Sequence, residues 1–366
     1  MADVFVSDAS MIPFGKKGKG AVELAYECAS RITVRPDIIL FASMSCMNSD
    51  RQGNASAAVA GELGLSDCPS FQVDTSSSSG AALVQLASFL LCSGRYDSVL
   101  AIASDNLTRM RSPEATAFFA SVLPPHERDA GCTMPSVAAL LWSLYSAKYG
   151  ADEKSLMSVS IKNHKNGLSN PYAHIRKNVT AEDYEKSRIV SSPLRVLDCA
   201  PVSDGAAAIL LTRKGGVRIS GMGHACDTMS AFSRPGERAF RAVSAAARDA
   251  YAGASIVPGD IDFAELHDAF TPFEIMETEA LGFCEEGQGF KAAMDGETSP
   301  EGSIPVNLSG GLKSRGHPVS VSGLAQMVEI YYRLTGTDYA KTEGRRALSL
   351  SIGGAASNNF VTILEV

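Results

Sequence analysis

Short apolar runs alternate with small-residue and amphipathic stretches along most of the 366 residues. Residues 4–7 read as a strand and 22–30 as a helix. Asp37-Ile38-Ile39-Leu40-Phe41-Ala42 lacks the polar alternation of a half-exposed strand, so it reads as a buried one. Residues 54–63 read as a small-residue helix that Gly64 can end. Residues 71–73 make a short strand. Residues 79–91 make a helix that is apolar on nearly every face, as expected in the middle of a large core. Ser98-Val99-Leu100-Ala101-Ile102-Ala103-Ser104 is another buried strand. Apolar strands alternating with helices predict a parallel or mostly parallel α/β core.

The pattern loosens between residues 109 and 195, where Pro113, Pro124, Pro125, Pro135, Pro171 and Pro193 punctuate it. Helices are expected over 134–149, around the single tryptophan Trp142, and over 154–163. The segment reads as an insertion over the core, and such loops often carry binding residues. Phe118, Phe119, Trp142 and Tyr172 are either the lining of an acyl pocket or ordinary packing. The core resumes at 202–211.

The second half then repeats the first. Val34-Arg35-Pro36-Asp37-Ile38-Ile39 resembles Val257-Pro258-Gly259-Asp260-Ile261. Ser77-Ser78-Ser79-Gly80 resembles Ser320-Val321-Ser322-Gly323, and both open an apolar helix. The strand at 98–104 resembles 347–353, and that at 206–211 resembles 360–364. Four matches in one order imply a duplication, with two similar halves packed about a pseudo-dyad. The two buried helices then meet at the middle, and their N-termini face one cleft.

The chain is 45% hydrophobic and 20% charged, so it can bury a sizeable core. Net charge is −7 with no long basic run, which argues against nucleic acid as a main partner. No apolar stretch has membrane-spanning length. The first residues lack the basic-then-apolar pattern of a secretory signal, and the last are not a peroxisomal address. The eight cysteines show no Cys-x-x-Cys spacing, so free thiols in a reducing cytoplasm are expected and no metal site is indicated.

Candidate chemistry gathers in four loops. The first is Val73-Asp74-Thr75-Ser76-Ser77-Ser78-Ser79, which runs from a strand into the apolar helix. A helix N-terminus presents free N–H groups and a partial positive charge, so it suits a nucleophile or an oxyanion. The alternative is a Ser-rich cap on a core helix. The second loop is His267-Asp268-Ala269-Phe270. The third is Asn307-Leu308-Ser309-Gly310-Gly311-Leu312-Lys313-Ser314-Arg315-Gly316-His317-Pro318, and the fourth is Ser351-Ile352-Gly353-Gly354. A lone histidine after a strand is most often structural, and a Gly-Gly pair is most often a turn. The duplication, however, brings these loops to corresponding ends of two sheets.

With these motifs the chain resembles the thiolase superfamily, in its sterol-carrier-protein-2 and archaeal types, over nearly its whole length. Gly316-His317-Pro318 is the most specific signature, and His267-Asp268-Ala269-Phe270 matches the family's histidine motif. Asn163-His164-Lys165 and Asn170-Pro171-Tyr172 resemble its loop domain. The resemblance implies an α/β fold of duplicated βαβαβαββ halves, giving five α-β-α-β-α layers. The N-terminal half would span 1–108 with a return strand in 196–214, the loop domain 109–195, and the C-terminal half 215–366. It implies Claisen chemistry on 3-ketoacyl-CoA, with coenzyme A or acyl-CoA as substrate and no permanently bound cofactor. Ser77 stands at the nucleophile position, His317 at that of its activating base, and His267 at one enolate-oxygen site. The N–H groups of Ser77 and Gly353 would form the second oxyanion site. Ser309, Gly310 and His164 would line the coenzyme A channel. A homodimer pairing through the strand at 98–104 is implied, as is a small zinc-containing OB-fold partner protein.

Three cysteines usual in such enzymes are replaced, by Ser77, Ala269 and Ser351. A thiol with pKa near 8.5 is partly ionised at neutral pH, whereas a hydroxyl depends on its base. Ser77 is then an engineered replacement that blocks turnover, a natural nucleophile driven by His317, or a bystander in a reaction without a covalent acyl step. Retro-aldol cleavage of a hydroxyacyl-CoA is such a reaction. A catalytically impaired subunit of a larger complex is the remaining alternative.

Overall fold

The structure is a computed structural model that describes residues 3–234, 240–336, 339–340 and 344–366. Strand β1 (Phe5–Met11) leads to α1 (Ala21–Ala29), β2 (Ile38–Ala42), α2 (Ala55–Glu62), β3 (Ser70–Gln72), α3 (Ser79–Cys92) and β4 (Ser98–Asn106). Helices α4 (Ser112–Ala120), α5 (Pro125–Asp129), α6 (Met134–Tyr149), α7 (Glu153–Gly167) and α8 (Ala181–Lys186) follow, with the hairpin β5 (Ile189–Ser191) and β6 (Leu194–Arg195). They precede β7 (Asp204–Thr212). The second half runs β8 (Val217–Cys226), α9 (Arg241–Ala254), β9 (Phe263–Glu265), α10 (Thr271–Ala280), α11 (Gly289–Met294) and α12 (Gly311–Arg315). It closes with α13 (Ser322–Thr335), β10 (Arg346–Gly353) and β11 (Asn358–Glu365).

Nine strands form the order β3-β2-β4-β7-β1-β8-β11-β10-β9. The halves join through two residue pairs, Phe5 with Arg218 and Val6 with Val217. The expected mostly parallel core is corrected here. Parallel pairing is confined to β2–β3, β2–β4 and β9–β10, and the remaining ladders of this order are antiparallel. The cause is local: β10 reaches β11 through a turn of four residues, too short for a parallel crossover. Apolar runs reveal burial on both faces and say nothing of direction.

Strand alternation distributes the core into layers. On β7, Ala206, Ala208 and Leu210 join α1 and α2 in one cluster. Their neighbours Ala207, Ile209 and Leu211 face the cluster that holds α3 and α13. On the other side Phe360 and Leu364 of β11 also face α3 and α13. Val361 and Ile363 face α9 and α10 instead. The layers are therefore α, β, α, β, α, with α3 and α13 in the centre. Leu83, Val84 and Leu91 of α3 are fully buried. Each such side chain stabilises the fold by about 1.5–3 kcal/mol relative to exposure.

The two central helices begin at matching residues, Ser79 and Ser322, and each runs 14 residues. A methyl group on Gly80 would stand 2.6 Å from the Leu324 nitrogen and 2.8 Å from the Ser320 carbonyl. One on Gly323 would stand 2.9 Å from the Ala81 nitrogen. The repeated glycine is thus what lets the helix starts cross at backbone contact.

The strand at 98–104, the expected pairing edge between subunits, lies inside the sheet. It forms β4, bonded to β2 on one side and β7 on the other, so its backbone offers no free row of donors. The outer edge of that half is β3. Among the described residues no helix is long and apolar enough to cross a membrane.

Candidate active site

Ser76 takes a left-handed φ of 60°, which turns the chain just ahead of α3. Such a conformation in a non-glycine residue is costly and tends to persist where a site needs it. Ser77 is buried, and its Oγ donates to the Ile352 carbonyl at 2.8 Å. Gly353 follows directly. A methyl group there would meet the Thr75 carbonyl at 2.6 Å and the Ser78 Oγ at 2.8 Å. A glycine is therefore required for the fourth loop to sit against the first.

The duplication explains why this helix start is open. At the start of α13, the backbone N–H of Ser320 donates to Asp105 at 2.7 Å. Asp105 is fully buried and also accepts from the Ser45 N–H, so the protein's own carboxylate fills that anion position. Burial raises the carboxyl pKa. In the second half the matching strand end runs into Gly353-Gly354, which carries no side chain. One helix N-terminus is plugged by a carboxylate, whereas the strand end matching it beside Ser77 offers none.

His317 sits in the turn that enters α13. Its Nδ1 lies 2.7 Å from the Ser322 Oγ, and its backbone N–H bonds Pro201 and Ser203. The residue keeps partial exposure, and Nδ1 is the ring nitrogen that Ser322 engages. The His267 ring stands perpendicular to it, with centroids 5.2 Å apart. Desolvation, reinforced by Arg315, holds the His317 imidazolium down to about 3. His267 is held well below its ordinary value by burial first, then by His317 and Arg315. Both rings are neutral near pH 7, a form able to accept a proton. The Nδ1 of His267 is buried without a hydrogen-bond partner.

A buried polar frame holds these loops. Asp268 accepts from the Leu312 and Lys313 N–H groups and from the Asn163 amide. Glu274 bridges Lys162, Asn163 and Asn307 at 2.6–2.8 Å. Burial raises Asp268, and the neighbouring Glu274 charge adds to the shift. Glu277 receives the His267 N–H at 2.9 Å. Apart from His267 and Glu277, these hydrogen-bond partners lie more than thirty residues apart in sequence, and periodicity carries no signal for them.

The three residues expected at the coenzyme A channel fall in the third loop and in α7. The Ser309 hydroxyl and N–H both bond Glu265. Gly310 packs on Gly167, where a methyl group would stand 2.7 Å from its Cα. His164 is buried in α7, in the same helix as Gly167, and neither ring nitrogen has a partner of good geometry. Burial and the nearby Lys313 charge hold it down to about 4. Trp142 is core, stacked on Tyr145, and Tyr172 stacks on Tyr332. A cavity of about 620 Å³ lies among α6, α9 and α10, lined by Leu141, Tyr145, Phe240 and Met276, away from both site histidines. Ser351, at the third replaced cysteine, is buried with its Oγ unpartnered, 2.6 Å from where a Gly323 methyl would stand.

Comparison with known proteins agrees with this architecture. Residues 4–215 match the thiolase N-terminal domain, and 223–366 the thiolase C-terminal domain-like model. An acetyl-CoA acetyltransferase of Methanothermobacter thermautotrophicus is 33% identical, with all of both chains aligned. Sterol carrier protein 2 of Bos taurus is 30% identical over 91% of this chain and 66% of its own length. Two solved structures share the fold. The Ltp2-ChsH2(DUF35) aldolase has a TM-score of 0.84 at 22% identity, over 99% of this chain and 97% of that one. Human mitochondrial 3-ketoacyl-CoA thiolase has 0.77 at 16%, over 100% and 99%. With both family domains matched in order along a duplicated fold, the chain belongs to the thiolase family.

Proposed function

We propose that this protein is a thiolase-type acyltransferase that makes or cleaves the carbon–carbon bond of a 3-ketoacyl-CoA. The observation that carries the reading is the perpendicular pair His267 and His317, with His317 in the turn that enters the central helix α13. In the cleavage direction, Ser77 Oγ adds to the keto carbon as its proton passes to His317 Nε2. The bond to the α-carbon breaks, and that carbon takes a proton as acyl-CoA leaves. Coenzyme A thiol then attacks the acyl-serine, returns a proton to Oγ and departs as a second thioester. His267 holds the enolate oxygen, and the N–H groups of Ser77 and Gly353 hold the oxyanion at the acyl carbon. Ser309 and Gly310 shape the wall of the pantetheine channel, and His164 supports that wall from behind.

One observation favours a second reading. The Ser77 proton is given to Ile352, so a retro-aldolase on a hydroxyacyl-CoA, needing only a base and an oxyanion site, also fits. A homodimer, working with a zinc-containing OB-fold protein in the cytoplasm, is part of the proposal. The test is purified protein with 3-ketoacyl-CoA and coenzyme A, alone and with such a partner. Failure to cleave in both settings removes the thiolase reading. Cleavage of a 3-hydroxyacyl-CoA establishes the aldolase, and coenzyme A binding without turnover establishes a binding subunit.

A further inference from the structure

We infer that Ser322 sets the polarity of His317, accepting the Nδ1 proton so that Nε2 is the bare nitrogen facing the substrate. The argument begins with proton counting. A serine hydroxyl has one proton to give. The Ser322 Oγ lies 3.2 Å from the Pro318 carbonyl, one turn back, which can only accept. It also lies 2.7 Å from His317 Nδ1. If the hydroxyl proton goes to Pro318, Nδ1 must carry its own proton and donate it.

The duplicated half decides between the two directions. Ser79 is the counterpart of Ser322, the first residue of the other central helix. Its Oγ donates to the Ser76 carbonyl at 2.6 Å and receives the Thr75 backbone N–H at 2.9 Å. Thr75 N–H can only donate, so no ambiguity exists there. Both serines thus give their proton to a carbonyl behind the helix and receive one from the incoming turn. In the first half the incoming donor is a backbone amide; in the second it is an imidazole.

The consequence is chemical. Neutral imidazole carries its proton on either nitrogen, and the partner of one nitrogen selects the role of the other. With Nδ1–H tied to Ser322, Nε2 holds the lone pair. The reverse tautomer would present an N–H to the nucleophile and remove the base. Ser322 is a positioning residue, acting through His317. Its catalytic weight rests on the acyl-transfer reading, but the tautomer itself does not.

The test uses full-length protein labelled with 15N-histidine, without substrate, near pH 7.5. Long-range 15N–1H correlation reads which nitrogen of each ring is protonated, and a His317→Gln variant assigns the His317 signal. Wild type should show His317 protonated at Nδ1. Ser322→Ala should shift it to Nε2–H or a mixture, and Ser322→Thr should restore Nδ1–H. In turnover, Ser322→Ala should lower kcat by about 10²–10⁴-fold with KM little changed, as expected when a base is misprotonated. Nε2–H in the wild type overturns the inference, and Nδ1–H persisting in Ser322→Ala overturns the part given to Ser322. Signals of the other five histidines report whether the variant folds, and if it does not, the wild-type and Ser322→Thr spectra decide. The expected tautomers with no acyl transfer at all would sink the proposed function and leave this inference standing.

Discussion

The Ser77 hydroxyl donates to the carbonyl of Ile352 at 2.8 Å, which ties the start of one central helix to the end of a strand in the other half. That bond stores the proton that acyl transfer must move. A thiol is a weaker donor and ionises far more readily at the N-terminus of a helix. Ser77→Cys is therefore expected to raise thiolytic turnover of 3-ketoacyl-CoA, by roughly 10²-fold or more, the scale of one activated group. Steady-state kinetics check it. An unchanged rate would mean that turnover does not pass through residue 77.

Neutral His267 and His317 stand at right angles in one site, so each is expected to carry a separate proton or oxyanion task. Replacing either by glutamine should cost about 10²–10⁴-fold in kcat. The double variant should lose less than the product of the two, because groups acting on one transition state are not additive. Single-turnover rates for the three variants make the comparison. Multiplicative losses would indicate that the rings serve independent steps.

The crossing of α3 over α13 predicts a stability effect without a chemical one. Gly80→Ala or Gly323→Ala forces a methyl group into backbone atoms under 3 Å away and should destabilise by about 1–3 kcal/mol. Gly61→Ala in α2 meets nothing within 4 Å and should stabilise by roughly 0.4–1 kcal/mol. Denaturant midpoints at constant slope separate these outcomes.

Much of this is legible in the sequence. The serine–glycine repeat marked both central helices, and the third loop announced His317. The doubled strand pattern implies two halves about a pseudo-dyad, and the family resemblance supplies the five layers. What escaped has physical reasons. Strand β8 carries Gly221 and Gly223 where apolar residues would have signalled a strand, because α9 lies against their Cα atoms. A methyl group on Gly223 would stand 1.8 Å from the Ala246 carbonyl. Asp105 falls one residue past the strand expected at 98–104 and carries no sequence signal, yet it bonds the N–H of Ser320 at the start of the other central helix. Ser322 appeared only as one letter of a repeat. Partnerships such as Lys162 with Glu274 join residues over a hundred positions apart, so no local pattern encodes them.

Acid should weaken the fold through its buried imidazoles. His164 and His317 are held down to about 4 and about 3, and His267 well below 6.5, chiefly by desolvation. For a base with a lowered folded pKa, the unfolded chain binds more protons once pH drops below about 6.5. Their contribution is then complete above pH 6.5 and is lost as pH falls toward the folded values. The slope is at most about 1.4 kcal/mol per pH unit for each ring. Melting temperatures from pH 7.5 to 4.5 should fall less steeply in His317→Gln than in wild type. Parallel curves would place the acid sensitivity elsewhere.

The edge of the first half makes a prediction about assembly. Strand β3 leaves one side unpaired, and Phe71 on it is 59% exposed. Helix α3 is central to the core, yet Leu86 and Phe89 remain 38% and 53% exposed. Large apolar side chains left open on a core helix and an edge strand suit a second copy of this chain. On the proposed homodimer, wild type should run at the mass of two chains by light scattering on a sizing column, and Phe71→Glu and Phe89→Glu should each bring it to one; a wild type of single-chain mass would end the proposal. In the proposed homodimer this helix, which opens at Ser79, would brace the turn that carries Ser77. The monomeric variants should therefore lose turnover along with mass, whereas a charge placed at exposed Val257 should change neither.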